Sequence, residues 1–281
     1  TTGRASDETG ARLTFGVTAL MNDAFLEMVR AETHRGMEGR ALSGFATGGR
    51  CFGYATRKEE NPPDRDHPRS EVAIDDEQAK LVVRIFRMWI DGASFKAIAV
   101  TLNNECIAAP HDGGTGNKGN RGWVPTTIRA MLLNERYLGK LTWNKSTWIK
   151  DRATGKRRQV ANPREEWVTV DRPDLRIIDE DTFADAQARF SRRRKGPGRP
   201  AGITRRPSVC SGLLKCGVCG GSMTAISGKQ QGKYRQYGCT THYSRGSAIC
   251  ANGMTISETK ASEALIAEVK KVLSQPGVAD D

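Results

Sequence analysis

The amino-acid sequence predicts an α+β protein of several domains, and three features of the chain support this class. Its 281 residues are enough for two or three domains, each with its own core. Stretches with apolar residues at helical spacing alternate with stretches in which the apolar spacing is about two. Five of the seven cysteines fall between Cys210 and Cys250, which indicates a small cysteine-rich module. We therefore expect a long first helix, a mixed domain of helices and strands, and a compact ribbon.

The charge balance favours an acidic macromolecule as partner. The net charge is +12 and the isoelectric point is about 9.6, and the usual partner of a basic protein is a phosphate backbone. No run approaches 18 apolar residues, and the polar start "TTGRASDETG" lacks the apolar stretch of a signal peptide. We expect a cytoplasmic protein, in which cysteines serve as thiols or metal ligands rather than disulfides.

The first predicted element is a helix from Thr14 to Leu42, with Thr14 as N-cap. At 1.5 Å per residue it would extend roughly 40 Å, which is too long to pack entirely on one small domain. Its apolar stripe fades after Ala31, and its last turns carry Arg35 and Arg40, which we expect to face solvent or phosphate. We assign residues 1–43 to this segment.

A second domain is predicted over residues 44–188. Glycines in "SGFATGGRCFGYA" interrupt the helix and introduce an extended segment, in which Arg50 and Tyr54 are further candidate DNA contacts. After the proline-rich loop 61–70, Asp75 and Gln78 form a capping box for a helix that ends at Gly92.

Two shorter helices follow in this domain. Ser94 caps the first, and Pro125 occupies the first turn of the second. The pair is similar to a helix-turn-helix with an enlarged turn. On the second helix the outward residues near the N-terminus are candidate contacts to base edges, namely Thr126, Thr127 and Arg129. The alternative is that this helix only completes the core.

The remainder of the domain is predicted to form a hairpin and a helix. Four large apolar residues, Leu141, Trp143, Trp148 and Ile149, surround a turn at 151–158, as in a β-hairpin. Asp179 can cap a helix that follows.

A basic linker is predicted over residues 189–207. The eighteen residues from Arg189 to Arg206 contain eight basic and no acidic side chains. Gly198-Arg199-Pro200 is similar to an AT-hook, whose extended core enters the minor groove of A·T-rich DNA. The alternative is a solvated linker that touches phosphates nonspecifically. The candidate DNA contacts in this segment are Arg192, Arg193, Arg194, Lys195 and Arg199.

The cysteine module is predicted over residues 208–256. Cys216-x2-Cys219 is followed after nineteen residues by Cys239-x10-Cys250, and two pairs of thiolates on turns are what tetrahedral Zn²⁺ requires. A redox pair is the alternative, but no strand-helix pattern follows Cys219.

The other members of the cysteine set are less defined. His242 lies three residues after Cys239 and could replace Cys250 as a ligand, although we favour Cys250, and Cys210 is an uncertain member. Cys51 and Cys106 are expected to be small apolar side chains. Residues 257–281 are predicted to begin a further helix, capped at Ser257.

Four segments together resemble one protein family. They are "THRGMEGRALSGFATGGRCFGYA", "KLVVRIFRMWIDGASFKAIAVTLN", the pattern W-x5-R-x5-NERYLG from Trp123 to Gly139, and "SGLLKCGVCGG". In this order they are similar to the large serine recombinases, the integrase and transposon branch of the resolvase/invertase superfamily. The resemblance implies that residues 14–42 are the helix that leaves the catalytic domain and helps the dimer assemble. It also implies a recombinase domain, a structural zinc ribbon, and double-stranded DNA of attachment sites or transposon ends as partner, bound by a homodimer or tetramer.

The resemblance also raises the question of catalysis. The family's nucleophilic serine lies in a domain before this helix, and only thirteen residues precede Thr14. Arg4-Ala5-Ser6 is superficially similar to the nucleophile motif, but no apolar strand supports it. We therefore name no catalytic residue and expect the chain to bind DNA without cutting it. The alternatives are a free-standing regulator of recombination sites and a zinc-ribbon protein that docks to other proteins.

Overall fold

The computed structural model describes residues 3–58, 70–110, 122–151, 153–194, 210, 212–227 and 235–274. The chain divides into two compact units. The first contains residues 1–79 and 135–177, and the second contains residues 80–134 and 178–281. In the described part of the chain, no helix is both long and apolar enough to span a membrane.

The first unit combines one long helix with three antiparallel strand pairs. Its elements are α1 (Gly3–Leu42), β1 (Tyr54–Lys58), β2 (Ser70–Ile74), β3 (Lys140–Trp143), β4 (Ser146–Lys150), β5 (Arg157–Ala161) and β6 (Val168–Asp171). The pairs are β1 with β2, β3 with β6, and β4 with β5. Helix α1 contacts β3 and β6 near its C-terminal end, where the His34 and Trp143 rings lie 4.8 Å apart.

The predicted start of the first helix is wrong. Helix α1 begins at Gly3, and Thr14 is inside it, where its Oγ1 donates to the Gly10 carbonyl at 2.8 Å. A threonine in a helix can make this bond to the carbonyl four residues earlier, so a candidate N-cap in the sequence need not end a helix. Ser6 also lies within α1, which differs from the strand that the nucleophile motif would need.

Tyr54 belongs to the core of the first unit. It is 9% exposed, and its hydroxyl lies 2.7 Å from the Arg136 carbonyl and 2.9 Å from the Leu175 carbonyl. Its ring stacks on Tyr137, with centroids 6.0 Å apart. Burial raises the pKa of both phenols far above the usual range. The expectation that Tyr54 contacts DNA is therefore corrected, because its polar atom is occupied inside the fold.

The hairpin prediction is correct for two of the four apolar residues on which it was based. Trp148 and Ile149 lie in β4, which pairs with β5 around the turn. Leu141 and Trp143 lie in β3, which pairs with the more distant β6, in the register Leu141 with Val170. A hairpin prediction from apolar spacing favours the nearest partner, whereas β3 pairs across an inserted hairpin.

The second unit contains a helical module. Its elements are α2 (Asp76–Ile90), α3 (Phe95–Asn104), α4 (Pro125–Leu132) and α5 (Glu180–Arg194). The first turn of α2, residues 76–79, is assigned to the first unit. The caps follow the sequence prediction, since Gln78 N donates to Asp75 Oδ1 and Ala97 N donates to Ser94 Oγ, both at 3.1 Å. The buried apolar residues on these four helices are Val82, Ile85, Phe86, Trp89, Ile98, Ala99, Leu102, Ile128, Met131, Leu132 and Ala186.

Helix α5 continues into the segment that was predicted to be linker. It is capped at Asp179, whose Oδ1 accepts from Thr182 N at 2.7 Å, and it runs to Arg194. Arg189 lies over the Trp89 ring at 3.9 Å and donates to the Gly92 carbonyl at 2.6 Å. The module therefore extends beyond residue 188, because an arginine in the charged run packs on an aromatic ring.

The second unit also contains the cysteine ribbon. A three-stranded antiparallel sheet has the order β7 (Met223–Ser227), β8 (Gln236–Cys239), β9 (Thr255–Ser257), and it is accompanied by α6 (Thr240–Arg245) and α7 (Glu258–Leu273). Its small core contains Cys210, Tyr237 and Ala261, with Leu214 and Leu265 among the partly buried residues against them.

Candidate metal centre and nucleic-acid interface

Four cysteine thiols converge in the ribbon. The Sγ atoms of Cys216, Cys219, Cys239 and Cys250 all lie within 4.8 Å of one another. The distances are 3.5 Å for Cys219 to Cys239, 3.6 Å for Cys239 to Cys250 and 3.8 Å for Cys216 to Cys250. The first two cysteines lie on the turn before β7, the third ends β8, and the fourth follows α6. The sheet thus brings together two pairs that are distant in sequence.

The local backbone folds so that N–H groups point at the sulfur atoms. The Gly221 N–H donates to Cys219 at 3.4 Å, and the His242 N–H donates to Cys239 at 3.5 Å, where Cys239 caps α6. The Asn252 side chain donates to Cys216 at 3.2 Å. Donors of this kind stabilise thiolate charge and orient the ligand atoms.

These surroundings affect the thiols differently. Hydrogen bonds, first that from the Cys219 backbone and then that from Asn252, lower the pKa of Cys216 to about 6. Burial raises the pKa of Cys250 to about 12 and also raises the pKa of Cys239. A divalent cation would displace the remaining protons, since metal ligands are thiolates.

The donor set fits Zn²⁺. Zinc–sulfur bonds of about 2.3 Å in a tetrahedron place the sulfur atoms about 3.8 Å apart, close to the three separations above. Four protein ligands leave no open coordination position, which is typical of a structural site. The predicted ligand set, including Cys250, is the set that the fold assembles.

Neither His242 nor Cys210 belongs to the described cluster of four thiols. The His242 ring bonds to the backbone, since its Nδ1 donates to the Cys250 carbonyl at 2.7 Å. Cys210 is fully buried in the apolar core, where its backbone N–H donates to the Tyr237 hydroxyl. Cys106 is exposed at a positive φ of 56°, which corrects its assignment as a packed apolar side chain.

Helix α4 presents the predicted base-reading face to the exterior. Pro125 is at its first turn, and Ile128 faces the core. Thr126 and Arg129 are exposed, and Thr127 is half-buried. The helix therefore completes the core and also keeps a polar face exposed.

The other candidate DNA contacts are distributed over both units. Arg35, Arg40 and Arg50 are exposed in the first unit, and Arg35 forms a surface ion pair with Glu32 at 3.3 Å. Arg192 is exposed on α5.

The rest of the predicted basic linker is not described. Arg193 and Arg194 belong to α5, and only their backbone is described. Lys195 and Arg199, with the AT-hook-like tripeptide, lie outside the described residues.

Sequence reasoning missed a basic hairpin. Strands β4 and β5 expose Trp148, at 62%, together with Lys150, Arg157 and Arg158. The signal was present in the sequence as five basic residues and a tryptophan between positions 148 and 158, but the tryptophan was interpreted only as one of the apolar residues of a hairpin.

The chain thus combines a domain of helices and strands with a β-ribbon whose four clustered cysteines are suited to bind zinc. Residues 76–193 match the family model Recombinase, and residues 209–270 match the family model Recombinase zinc beta ribbon domain. The two matches agree with the resemblance in the sequence.

One curated relative is the "Putative DNA recombinase" of Bacillus subtilis (strain 168). It is 26% identical over 232 residues, which are 81% of this chain and 43% of the relative. The chain therefore spans less than half the length of that protein.

Two solved structures are also similar to the chain. "Crystal Structure of a LSR-DNA Complex" has 20% identity and a TM-score of 0.35, covering 85% of this chain and 66% of that chain. "Sequence Requirements of the Listeria innocua prophage attP site" has 19% identity and a TM-score of 0.35, covering 86% and 87%.

Proposed function

We propose that this chain is the DNA-binding part of a site-specific recombinase of the large serine type. It binds double-stranded DNA at the ends or attachment sites of a mobile element. The observation that carries the proposal is the exposed polar face of α4, with Thr126 and Arg129 outward, on a chain of net charge +12. The two family-model matches support the same function.

The α4 face suits base recognition. A recognition helix presents its N-terminal residues to the major groove, where an arginine can donate two hydrogen bonds to guanine. Because Ile128 holds the helix in the core, Arg129 projects from a rigid support. Phosphate contacts would come from the exposed arginines of both units and from the basic segment after α5.

The ribbon serves this function as a folded module. Its described core contains few large apolar side chains, and a structural zinc can supply the missing folding free energy. We assign Zn²⁺ a structural role, with DNA binding left to the surface of the ribbon and to the helical module.

We propose that α1 contributes to assembly on DNA. It exposes apolar side chains over its middle turns, and 67% of Met21 and 58% of Phe25 are accessible. A second copy of the helix would cover them, giving a homodimer or, on paired sites, a tetramer. Sedimentation with and without DNA tests the assembly, and a chain that stays monomeric on a two-site duplex contradicts it.

The function is tested by selecting duplexes from a random library with the zinc-loaded chain and measuring affinity by fluorescence anisotropy over a salt series. We expect a defined consensus and a steep fall in affinity with salt, because cation release accompanies phosphate contact. A chain that enriches no consensus, or whose binding does not respond to salt, refutes the proposal.

Two substitutions of one residue separate base reading from phosphate contact. Arg129→Ala and Arg129→Lys are both expected to relax specificity at one base pair and to cost about 1–3 kcal/mol on the selected duplex, since lysine lacks the two-pronged donor. If lysine restores affinity on every sequence, Arg129 contacts phosphate instead. Arg87→Ala, an exposed arginine of α2, is the matched control and should leave the consensus unchanged.

A further inference from the structure

One face of helix α3 contacts the cysteine ribbon. Lys96, Val100 and Asn103 are spaced four and three residues apart and therefore lie on one side of the helix. Ile98, Ala99 and Leu102 cover a neighbouring side and are buried in the helical module. The face that carries Val100 is thus available to a second partner, and in the second unit that partner is α6 with the loop after it.

The contacts along this face involve several kinds of interaction. The Lys96 Nζ lies 3.6 Å from the centroid of the Tyr243 ring. Val100 packs so closely on Gly246 that a Cβ placed there would be 3.0 Å from Val100 Cγ1. A cation–π contact and tight backbone packing therefore act on the same short segment of the ribbon.

The side-chain amide of Asn103 adds hydrogen bonds to the contact between α3 and the ribbon. Asn103 is 3% exposed, and among the described residues it is the only polar or charged side chain that is buried. Its Nδ2 donates to the Arg245 carbonyl at 2.8 Å and to the Trp123 carbonyl at 3.0 Å, while its Oδ1 accepts from Trp123 N at 2.6 Å. One side chain thus joins α3, the end of α6 and the segment that enters α4. Separation of the ribbon would leave part of a buried amide unpaired, which opposes separation.

The docked segment is bounded by metal ligands. Cys239 caps α6, and Cys250 follows the loop that begins at Gly246. Metal coordination at both ends would fix the backbone that carries Tyr243 and the Arg245 carbonyl. At the other end of the contact, Trp123 lies two residues before Pro125, the first residue of α4.

We propose that the α3 face of Lys96, Val100 and Asn103 is the docking surface of the zinc ribbon. Through Asn103, occupancy of the metal site positions the start of α4. Asn103 is a positioning residue in this scheme, and the ribbon is held on the helical module in the DNA-free chain. The proposal concerns the chain alone and does not depend on which DNA it binds.

The docking is tested by methyl-labelled NMR of the full, zinc-loaded chain. We expect nuclear Overhauser effects between the Val100 methyls and the Gly246 Hα, and between the Ile249 methyl and Gly122, where a Cβ would be 2.7 Å from Ile249 Cδ1. Val100→Asp should abolish the Ile249 to Gly122 effect while bound zinc stays at about one per chain. Ala97→Asp adds the same charge at an exposed position of α3 and should retain it. Absence of both effects in the wild-type, zinc-loaded chain overturns the proposal.

The coupling to α4 has its own measurement. Removal of zinc with a chelator should shift the amide resonances of Thr126 and Thr127 in the wild-type chain and in Ala97→Asp. In Val100→Asp the same treatment should leave them in place, because the ribbon is already separated. Equal shifts in wild type and Val100→Asp, or no shift in wild type, overturn the coupling. Asn103→Asp, which keeps the acceptor for Trp123 N and loses the donor to the Arg245 and Trp123 carbonyls, should reduce the shift while circular dichroism reports an intact fold.

Discussion

Replacement of Cys250 by alanine is expected to abolish tight zinc binding, whereas replacement of His242 is not. Both residues were compatible with the sequence spacing, and the fold distinguishes them. Cys250 Sγ lies 3.6 Å from Cys239 Sγ, within the cluster, while the His242 ring donates to the Cys250 carbonyl. The two variants therefore remove a ligand in one case and a hydrogen bond in the other.

The difference in magnitude follows from the two roles. A structural zinc contributes about 10–16 kcal/mol, so that loss of one of four ligands removes about 2.5–4 kcal/mol if they share it equally. At 1.4 kcal/mol per factor of ten, zinc affinity falls about 10²–10³-fold. Loss of the His242 hydrogen bond costs about 0.5–1.5 kcal/mol, which is about tenfold or less.

Competition with a chromogenic chelator at neutral pH measures both affinities on the full chain, with circular dichroism as a check on folding. Cys106→Ala is the matched control, because it removes an exposed thiol outside the cluster and should leave zinc affinity unchanged. The reasoning is refuted if His242→Ala weakens zinc more than Cys250→Ala does. Wild-type zinc affinity in Cys250→Ala would also refute it.

Three further outcomes are expected. Asn252→Ala should weaken zinc about 10-fold, since it removes the donor to Cys216, and chelator competition measures the change. Tyr54→Phe should lower the free energy of unfolding in urea by about 1–3 kcal/mol, because two carbonyls lose their buried partner; an unchanged midpoint would place that hydroxyl in contact with solvent. Gly139→Ala should destabilise more than Gly155→Ala: both have positive φ, but a Cβ on Gly139 would collide with a backbone carbonyl and one on Gly155 meets nothing within 4 Å. Equal thermal shifts for the two glycine variants would contradict the steric argument.

The features that the sequence predicted well are those with local causes. Asp75 and Ser94 cap their helices as expected because a cap bond spans three residues. The clustering of the four cysteines was predictable because the residue type and the spacing of each pair on its turn can be read directly from the sequence. The sequence already favoured Cys250 over His242, and the loop after α6 brings the Cys250 thiol into the cluster.

The features that could not be predicted depend on partners distant in sequence. β3 pairs with β6 rather than with its neighbour β4, and apolar spacing carries no information on this choice. Tyr54 is flanked by glycine, alanine and basic residues, yet its hydroxyl meets carbonyls 82 and 121 residues away. The local sequence of a tyrosine near arginines therefore does not distinguish a residue that contacts DNA from one that is buried in the core.

The basic run after residue 188 shows how charge alone misleads about DNA contacts. Arg189 and Arg192 are one turn apart on α5 and are indistinguishable by composition. Arg189 covers the Trp89 ring and donates to two carbonyls, those of Gly92 and Ala93, so its loss destabilises the helical module. Arg192 is exposed. Arg189→Ala should therefore lower the unfolding midpoint, whereas Arg192→Ala should lower DNA affinity and its salt dependence with an unchanged midpoint. Thermal melts and salt-series anisotropy on the two variants measure this division, and equal melts would show that Arg189 is also a solvated charge.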